Sequence, residues 1–262
     1  MDRKELIMKN FYYLLVCALV LIYACSTDSN DSSSSDSAGD GQGGSLATFA
    51  LKGNYLYTVD YYNLNVFGIA DVTNPVKLNT VDVGFDIETL FGFKDYLFIG
   101  SQSAMFIYDI SNPEFPVKLS QSDHFRSCDP VVANDDYAFV TLHTNTFCEG
   151  TVNELRTYDI ADLENPILLN TRGLTEPKGL GLFDDYLLVC DDTTKIFDVS
   201  NASESVFIAE IPTNNAIDII IRDNHAFIIS EDSIDQYELD ATDMTNFKAI
   251  SSFVFNETTI VL

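Results

Sequence analysis

Five times along this 262-residue chain the same succession of short apolar runs returns, and that recurrence limits the possible folds more than any single motif does. The clearest copy is Phe93 to Leu119, FKDYLFIGSQSAMFIYDISNPEFPVKL. It carries an apolar run from Tyr96 to Ile99, a polar break and a second run from Met105 to Ile110. A turn through Asp109, Asn112 and Pro113 follows, and a third run opens at Val117. Short runs of β-branched and aromatic residues between Gly, Asn and Pro breaks read as strands, and their weak alternation implies burial on both faces.

The copies align on an acidic or amide residue followed by a ring: Asn54 with Tyr55, Asp95 with Tyr96, Asp136 with Tyr137, Asp185 with Tyr186, and Asn224 with His225. A second anchor is read at Asp71, Asp109, Asp159, Asp198 and, weakly, Glu238, where a carboxylate can accept backbone N–H bonds in an Asx turn. Third runs follow at Val76–Leu78, Val117–Leu119, Ile167–Leu169, Val206–Ile208 and Phe247–Ile250. Fourth runs are Leu46–Leu51, Ile87–Phe91, Pro130–Ala133, Gly179–Phe183 and Ala216–Ile221, each lying before the next aromatic opener. Four strands in a period of about forty residues leave no room for crossover helices, so neighbours pair antiparallel through short turns. That period is the length of a propeller blade. The expected fold is therefore all-β: a β-propeller of about five four-stranded antiparallel blades over residues 45–262. A β-sandwich would leave the periodicity unexplained.

FGIADVTNP, MFIYDISNP and LRTYDIADLENP, ending on Pro75, Pro113 and Pro166, resemble the repeat of the bacterial LVIVD-repeat proteins, a short aliphatic strand ending in Asp. The likeness runs from Leu46 to Phe253, with the fourth and fifth copies lacking Pro after Asp198 and Glu238. It implies a propeller that is exported or lipid-anchored. It implies no chemistry for any residue, since fold does not carry function.

Ahead of the repeats, Phe11–Ala24 is an apolar run too short to span a bilayer comfortably, and Met8 followed by Lys9 reads as its start. Residues 1–24 are thus expected to form a lipoprotein-type signal peptide. Ile22, Tyr23, Ala24 and Cys25 resemble a lipobox, which makes Cys25 the expected lipidation site; the alternative is an ordinary secretory signal or uncleaved anchor. Residues 25–44, rich in Ser, Asp and Gly, have nothing apolar to bury and read as a disordered tether. The expected location is the cell envelope, at the outer membrane, with membrane contact through the lipid alone.

A formal charge of -26 with 14 Lys and Arg makes nucleic acid a poor partner, since phosphate binding depends on clustered cations, and none is expected. No P-loop, GxSxG, HExxH or dinucleotide fingerprint is present, and neither a cofactor nor a catalytic set is assigned. Alignment of the fourth runs brings Asp86, Glu88, Asp129, Glu176 and Lys178 to one end of the inner strands, where propellers bind ligands. The third copy carries an insertion, His143–Glu154, containing Cys148. In an exported protein Cys128 and Cys148 are expected to form a disulfide. A metal site shared with His124 and His143, or two free thiols, are the alternatives, and no metal is assigned. Asp86, Glu88, Asp129, Glu176, Lys178, His124 and His143 are accordingly candidate binding residues at the channel mouth. Two functions fit: a scaffold for a protein or glycan partner in the envelope, and a hydrolase working through the mouth carboxylates.

Overall fold

The computed structural model describes residues 43–124, 126–127, 130–144, 152–201 and 203–255. They form five four-stranded sheets, each antiparallel and each paired in chain order. Blade 1 is β1 (Phe49–Lys52), β2 (Tyr55–Val59), β3 (Asn63–Gly68) and β4 (Val76–Asp82). Blade 2 is β5 (Ile87–Phe93), β6 (Tyr96–Ser101), β7 (Ala104–Asp109) and β8 (Val117–Asp123). Blade 3 is β9 (Val131–Ala133), β10 (Tyr137–Leu142), β11 (Glu154–Asp159) and β12 (Ile167–Gly173). Blade 4 is β13 (Leu180–Phe183), β14 (Tyr186–Cys190), β15 (Thr194–Asp198) and β16 (Val206–Ile211). Blade 5 is β17 (Ala216–Arg222), β18 (His225–Ser230), β19 (Ser233–Glu238) and β20 (Lys248–Val254).

The first strand of each blade lies beside the first strand of the next, from β1 through β5, β9 and β13 to β17. The result is the expected five-bladed β-propeller. Second and third strands are buried on both faces in blade 2, which is why their sequences show no alternation. Outer strands such as β4, β8 and β12 are mostly exposed, leaving Val76, Val117 and Ile167 in solvent.

Every blade carries the same irregularity between its third and fourth strands. The ladder slips at Val66/Phe67, Ile107/Tyr108, Thr157/Tyr158, Ile196/Phe197 and Gln236/Tyr237. The residue after each slip is a Phe or Tyr, a repeat signature as regular as the aromatic openers. A β-bulge bends the strand and raises its twist, which suits a blade whose outer edge must rotate away from the axis.

The register corrects one alignment. Tyr55 faces Gly68 where Tyr96 faces Asp109 and Tyr137 faces Asp159, so Gly68 rather than Asp71 ends the third strand of blade 1. Asp71 sits three residues further on, within the turn, where its carbonyl accepts Asn74 N–H as those of Asn112 and Asp162 accept Phe115 and Asn165 N–H. The Asx role itself is present at each carboxylate. Asp71, Asp109, Asp159 and Asp198 accept the N–H of Thr73, Ser111, Ala161 and Ser200 at 3.0, 2.6, 2.9 and 2.9 Å. In blade 5 the job falls to Asp240, which accepts Thr242 N–H at 2.9 Å. Asp and Asn side chains have the length that reaches the N–H two residues on.

These turns also join blades. Tyr57, fully buried, donates its hydroxyl to Pro113 O at 2.9 Å, and Asn79 donates to Glu114 O at 2.8 Å. Buried apolar clusters join blade 1 to blade 2, blades 2 to 3 to 4, and blade 4 to blade 5.

Candidate functional site

The inner strands all start at one end of the propeller, and the structure collects two groups of polar side chains there. The first is on blade 2. Asp86 holds a left-handed backbone, φ 58°, a conformation that Asp tolerates better than most residues; Asn215 at the start of β17 does the same at 52°. Between Ile87, which faces Ser101, and Thr89, which faces Gly100, Glu88 is left out of the ladder. Such a bulge re-aims a side chain. Glu88 Oε1 accepts Gln102 Nε2 at 2.9 Å, and Gln102 Oε1 accepts Arg126 Nε at 2.9 Å. Arg126 Nη2 stands 3.8 Å from Asp86 Oδ2, while Tyr61 donates its hydroxyl to Asp86 Oδ1. Burial pushes the Glu88 carboxyl above the usual carboxylate range, and the charge of Asp86 adds to the shift. The bond from Gln102 and the charges of Arg126 and His124 oppose it.

The second group spans blades 3 and 4. Lys178 Nζ lies 3.7 Å from Glu176 Oε1. Asp191, with a fully buried side chain, accepts the N–H of Thr175 and Glu176 at 3.0 and 2.6 Å and the Lys195 ammonium at 2.5 Å, and so fixes the backbone under Glu176. His143 ends the stretch after β10 and is buried. Burial, with the neighbouring Lys178 charge, lowers its pKa to about 4, so the imidazole is neutral at neutral pH.

Asp86, Glu176 and Lys178 precede the inner strands β5 and β13, Glu88 lies next to the first residue of β5, and His124 and His143 directly follow β8 and β10. They form two groups, with His124 acting on Glu88 and His143 beside Lys178. Asp129, Cys128, Cys148 and Cys25 lie outside the described residues, and with them the disulfide and the lipidation site. Among the described residues no three His, Cys, Asp or Glu side chains converge as metal ligands.

Gln102, Arg126 and Asp191, which hydrogen-bond within these groups, and Asp218, which holds the first described segment, are not singled out by the repeat pattern of the sequence. Asp218 carried a visible signal, one acid inside the apolar run AIDIII. Its carboxylate accepts Ser45 N–H at 3.1 Å, Ser45 Oγ at 2.9 Å, Leu46 N–H at 3.2 Å and Ile219 N–H at 2.9 Å. Ser45 Oγ in turn accepts Leu180 N–H at 2.8 Å. The segment Gly43–Leu46 is therefore latched to β17 and β13 before it turns back as β1, through a bond from Ala47 N–H to Gly44 O. Gly179 leaves the space that Asp218 fills, since a Cβ there would stand 2.3 Å from Asp218 Oδ1. Burial raises the Asp218 pKa, and these bonds hold it down in part. The fully buried Cys190 thiol is pushed up by burial and by the charge of Asp218, so it is no nucleophile.

The opposite end of the axis holds a cavity of about 240 Å³, walled by Phe91, Val132, Leu180, Leu182, Ile219 and Gly43. A second of about 290 Å³ adjoins it between blades 1 and 2, again beside Gly43. The lining of both is mainly apolar, with Lys52, Lys94, Asn134 and Asp184 among it.

The LVIVD repeat is matched at residues 43–82 and 94–121, which cover blade 1 and most of blade 2. No curated protein matches the chain. Among solved structures, the periplasmic gluconolactonase PpgL of Pseudomonas aeruginosa superposes with a TM-score of 0.59 at 13% identity, over 78% of this chain and 68% of that one. A protein from Lactobacillus plantarum gives 0.64 at 14%, over 77% and 68%. Apo AztD from Citrobacter koseri gives 0.55 at 14%, over 79% and 64%. At such identities the likeness is one of fold alone. With the repeat matched in its first two blades and the same four-strand plan recurring in the other three, the chain is a five-bladed β-propeller carrying LVIVD repeats.

Proposed function

We propose that this propeller is a binding scaffold of the cell envelope, tethered by lipid at Cys25, which offers its channel mouth to a protein or glycan partner. The observation that supports it best is the wiring of the mouth. Asp86, Glu88, Gln102 and Arg126 are tied into one array with both donors and acceptors, and Glu176 with Lys178 form a second. Fixed polar groups of mixed sign orient a hydrogen-bonding ligand at small entropic cost.

Hydrolysis is a second reading, favoured by one observation. Burial raises the pKa of the Glu88 carboxyl beside the charge of Asp86, and a carboxyl held protonated above the usual range is what a general acid requires.

The test uses the purified chain as bait for detergent-solubilised envelope extract. A partner of the mouth is retained by the wild type and by Lys94→Ala at the far end, and lost with Gln102→Ala/Arg126→Ala. Equal retention by all three overturns the scaffold reading of this end. Turnover of nitrophenyl glycosides or esters that Glu88→Gln abolishes establishes the hydrolase instead. For the anchor, Cys25→Ser is expected to move the protein to the soluble fraction, and continued membrane retention with no lipid by mass spectrometry removes it.

A further inference from the structure

Beside the blade 2 array, three aromatic rings stand in solvent where nothing in the fold requires them. Tyr61 and Tyr62 are about half exposed in the β2–β3 turn, and Phe85, before β5, is 73% exposed. The rings are contiguous: Tyr61 and Tyr62 centroids are 4.9 Å apart at 81°, and Tyr62 and Phe85 are 5.6 Å apart at 83°. Single exposed apolar residues are ordinary, but three adjoining rings are a patch.

Their backbone is held firmly. Asp60 accepts the N–H of Tyr62 and Asn63 at 2.9 Å each and the amides of Asn63 and Asn65 at 3.1 and 3.0 Å. Tyr62 O accepts Val83 N–H at 3.0 Å, and Tyr61 O accepts Ile87 N–H at 3.3 Å, so the two loops form one unit. The Tyr61 hydroxyl on Asp86 joins the rings to the polar array.

We infer that this rim is a glycan-binding site for a neutral sugar, the rings supplying a stacking face and Glu88, Gln102 and Arg126 meeting hydroxyl groups at its edge. The inference rests on the scaffold reading and names its ligand class. Charge decides between ligands. The chain as a whole carries -26, yet here Asp86 and Glu88 are met by Arg126, with His124 also acting on Glu88. Asp60, Asp86 and Glu88 outnumber Arg126, which repels an anion, and each of these carboxylates already accepts a bond from a neighbouring side chain, which leaves it little capacity for a cation. It suits a ligand whose hydroxyls both donate and accept and whose C–H face packs on rings.

The experiment is saturation-transfer NMR on the whole chain with cellobiose, maltose and chitobiose as probes, and tetralysine and digalacturonate as counter-probes. At least one neutral disaccharide is expected to receive saturation on its ring protons. Tyr62→Ala and Phe85→Ala are each expected to weaken it tenfold or more, Tyr62→Phe to keep it, and Phe253→Ala on the outer strand of blade 5 to leave it unchanged. Thermal midpoints of the variants, expected to match the wild type because the rings are exposed, show that they fold. Silence from all three neutral sugars, binding of the charged probes only, or undiminished binding by both alanine variants overturns the inference. If mouth-dependent capture from extract persists in that case, the scaffold reading stands and its partner is not a neutral glycan.

Discussion

In blade 2 the third strand, Ala104–Asp109, is buried along all but its last residue, whereas the corresponding strand of blade 5, Ser233–Glu238, is half-exposed throughout. Register makes the comparison residue by residue, because Tyr96 faces Asp109 as His225 faces Glu238. Phe106 and Ile107 thereby correspond to Asp235 and Gln236. One repeat plan gives the same hydrogen-bonded ladder in both places, but two polar residues at core positions deprive blade 5 of the seal that blade 2 has on each side. Among the described residues no buried apolar cluster joins blade 5 back to blade 1, and the connection there is the polar latch of Ser45 and Leu46 on Asp218. The ring is thus held by apolar burial through four interfaces and by hydrogen bonds at its seam.

Cutting the same side chain in both blades is expected to have the largest and most unequal effect. Phe98, fully buried in β6, corresponds to Phe227, which is only half-buried in β18. Phe98→Ala is expected to cost about 3–5 kcal/mol, as large-to-small changes in packed cores do, and Phe227→Ala less than about 2 kcal/mol. Equal losses in urea unfolding would show blade 5 to be as well sealed as blade 2.

Next in size is the seam. Asp218→Ala leaves the N–H groups of Ser45, Leu46 and Ile219 without their acceptor, at an expected cost of about 2–3 kcal/mol. Hydrogen exchange is expected to speed up in β17–β20 and to stay slow in β6 and β7. Uniform acceleration would mean that the latch supports the whole ring.

Asp60, in the β2–β3 turn of blade 1, and Asp218, at the seam, respond oppositely to acid. The Tyr62 N–H bond first, then those of Asn65 and Asn63, hold the Asp60 pKa down to about 2. Its contribution is present above the ordinary carboxylate value and is lost as pH falls through 2. Asp218 is raised, so its ionisation is disfavoured in the fold, and the stability it gives falls as pH rises through its folded value. Acidification is therefore expected to loosen the Tyr61–Tyr62 turn while sparing the seam. Carboxyl NMR titration reads both groups, and an Asp218 value below the ordinary one would reverse the second half. Smallest of all, Val254→Ala on the exposed β20 is expected to shift stability by less than about 0.5 kcal/mol.

Most of the fold was legible because its signals are local. Tyr96, Tyr137 and Tyr186 open strands where the sequence placed them, and Pro166 ends its turn there, whereas Pro113 lies inside its turn and Pro116 ends it. Asp71 was misaligned for the same reason: an Asp close to a Pro looks alike whether it ends a strand or sits within the turn, and only pairing with Tyr55 separates the two. That Asp86, Glu88, Glu176 and Lys178 stand at or just before the start of β5 and β13 followed from the period. Their grouping did not, since Gln102 and Arg126 come from turns whose sequences carry no repeat signal. Tyr61 and Tyr62 were visible as residues, but that Phe85 joins them depends on the β2–β3 and β4–β5 loops being stitched together.

By itself, then, the sequence determined strand, turn and period, because apolar runs and turn residues act over a few neighbouring positions. The tertiary structure alone decided which polar residues meet and how the ring is held at its seam. Ser45 and Asp218 are 173 residues apart, and nothing near either one in the chain predicts the other. Their bond exists because four interfaces of buried apolar surface carry β17 around to the first blade, where a single carboxylate finds three backbone donors and a hydroxyl out of water.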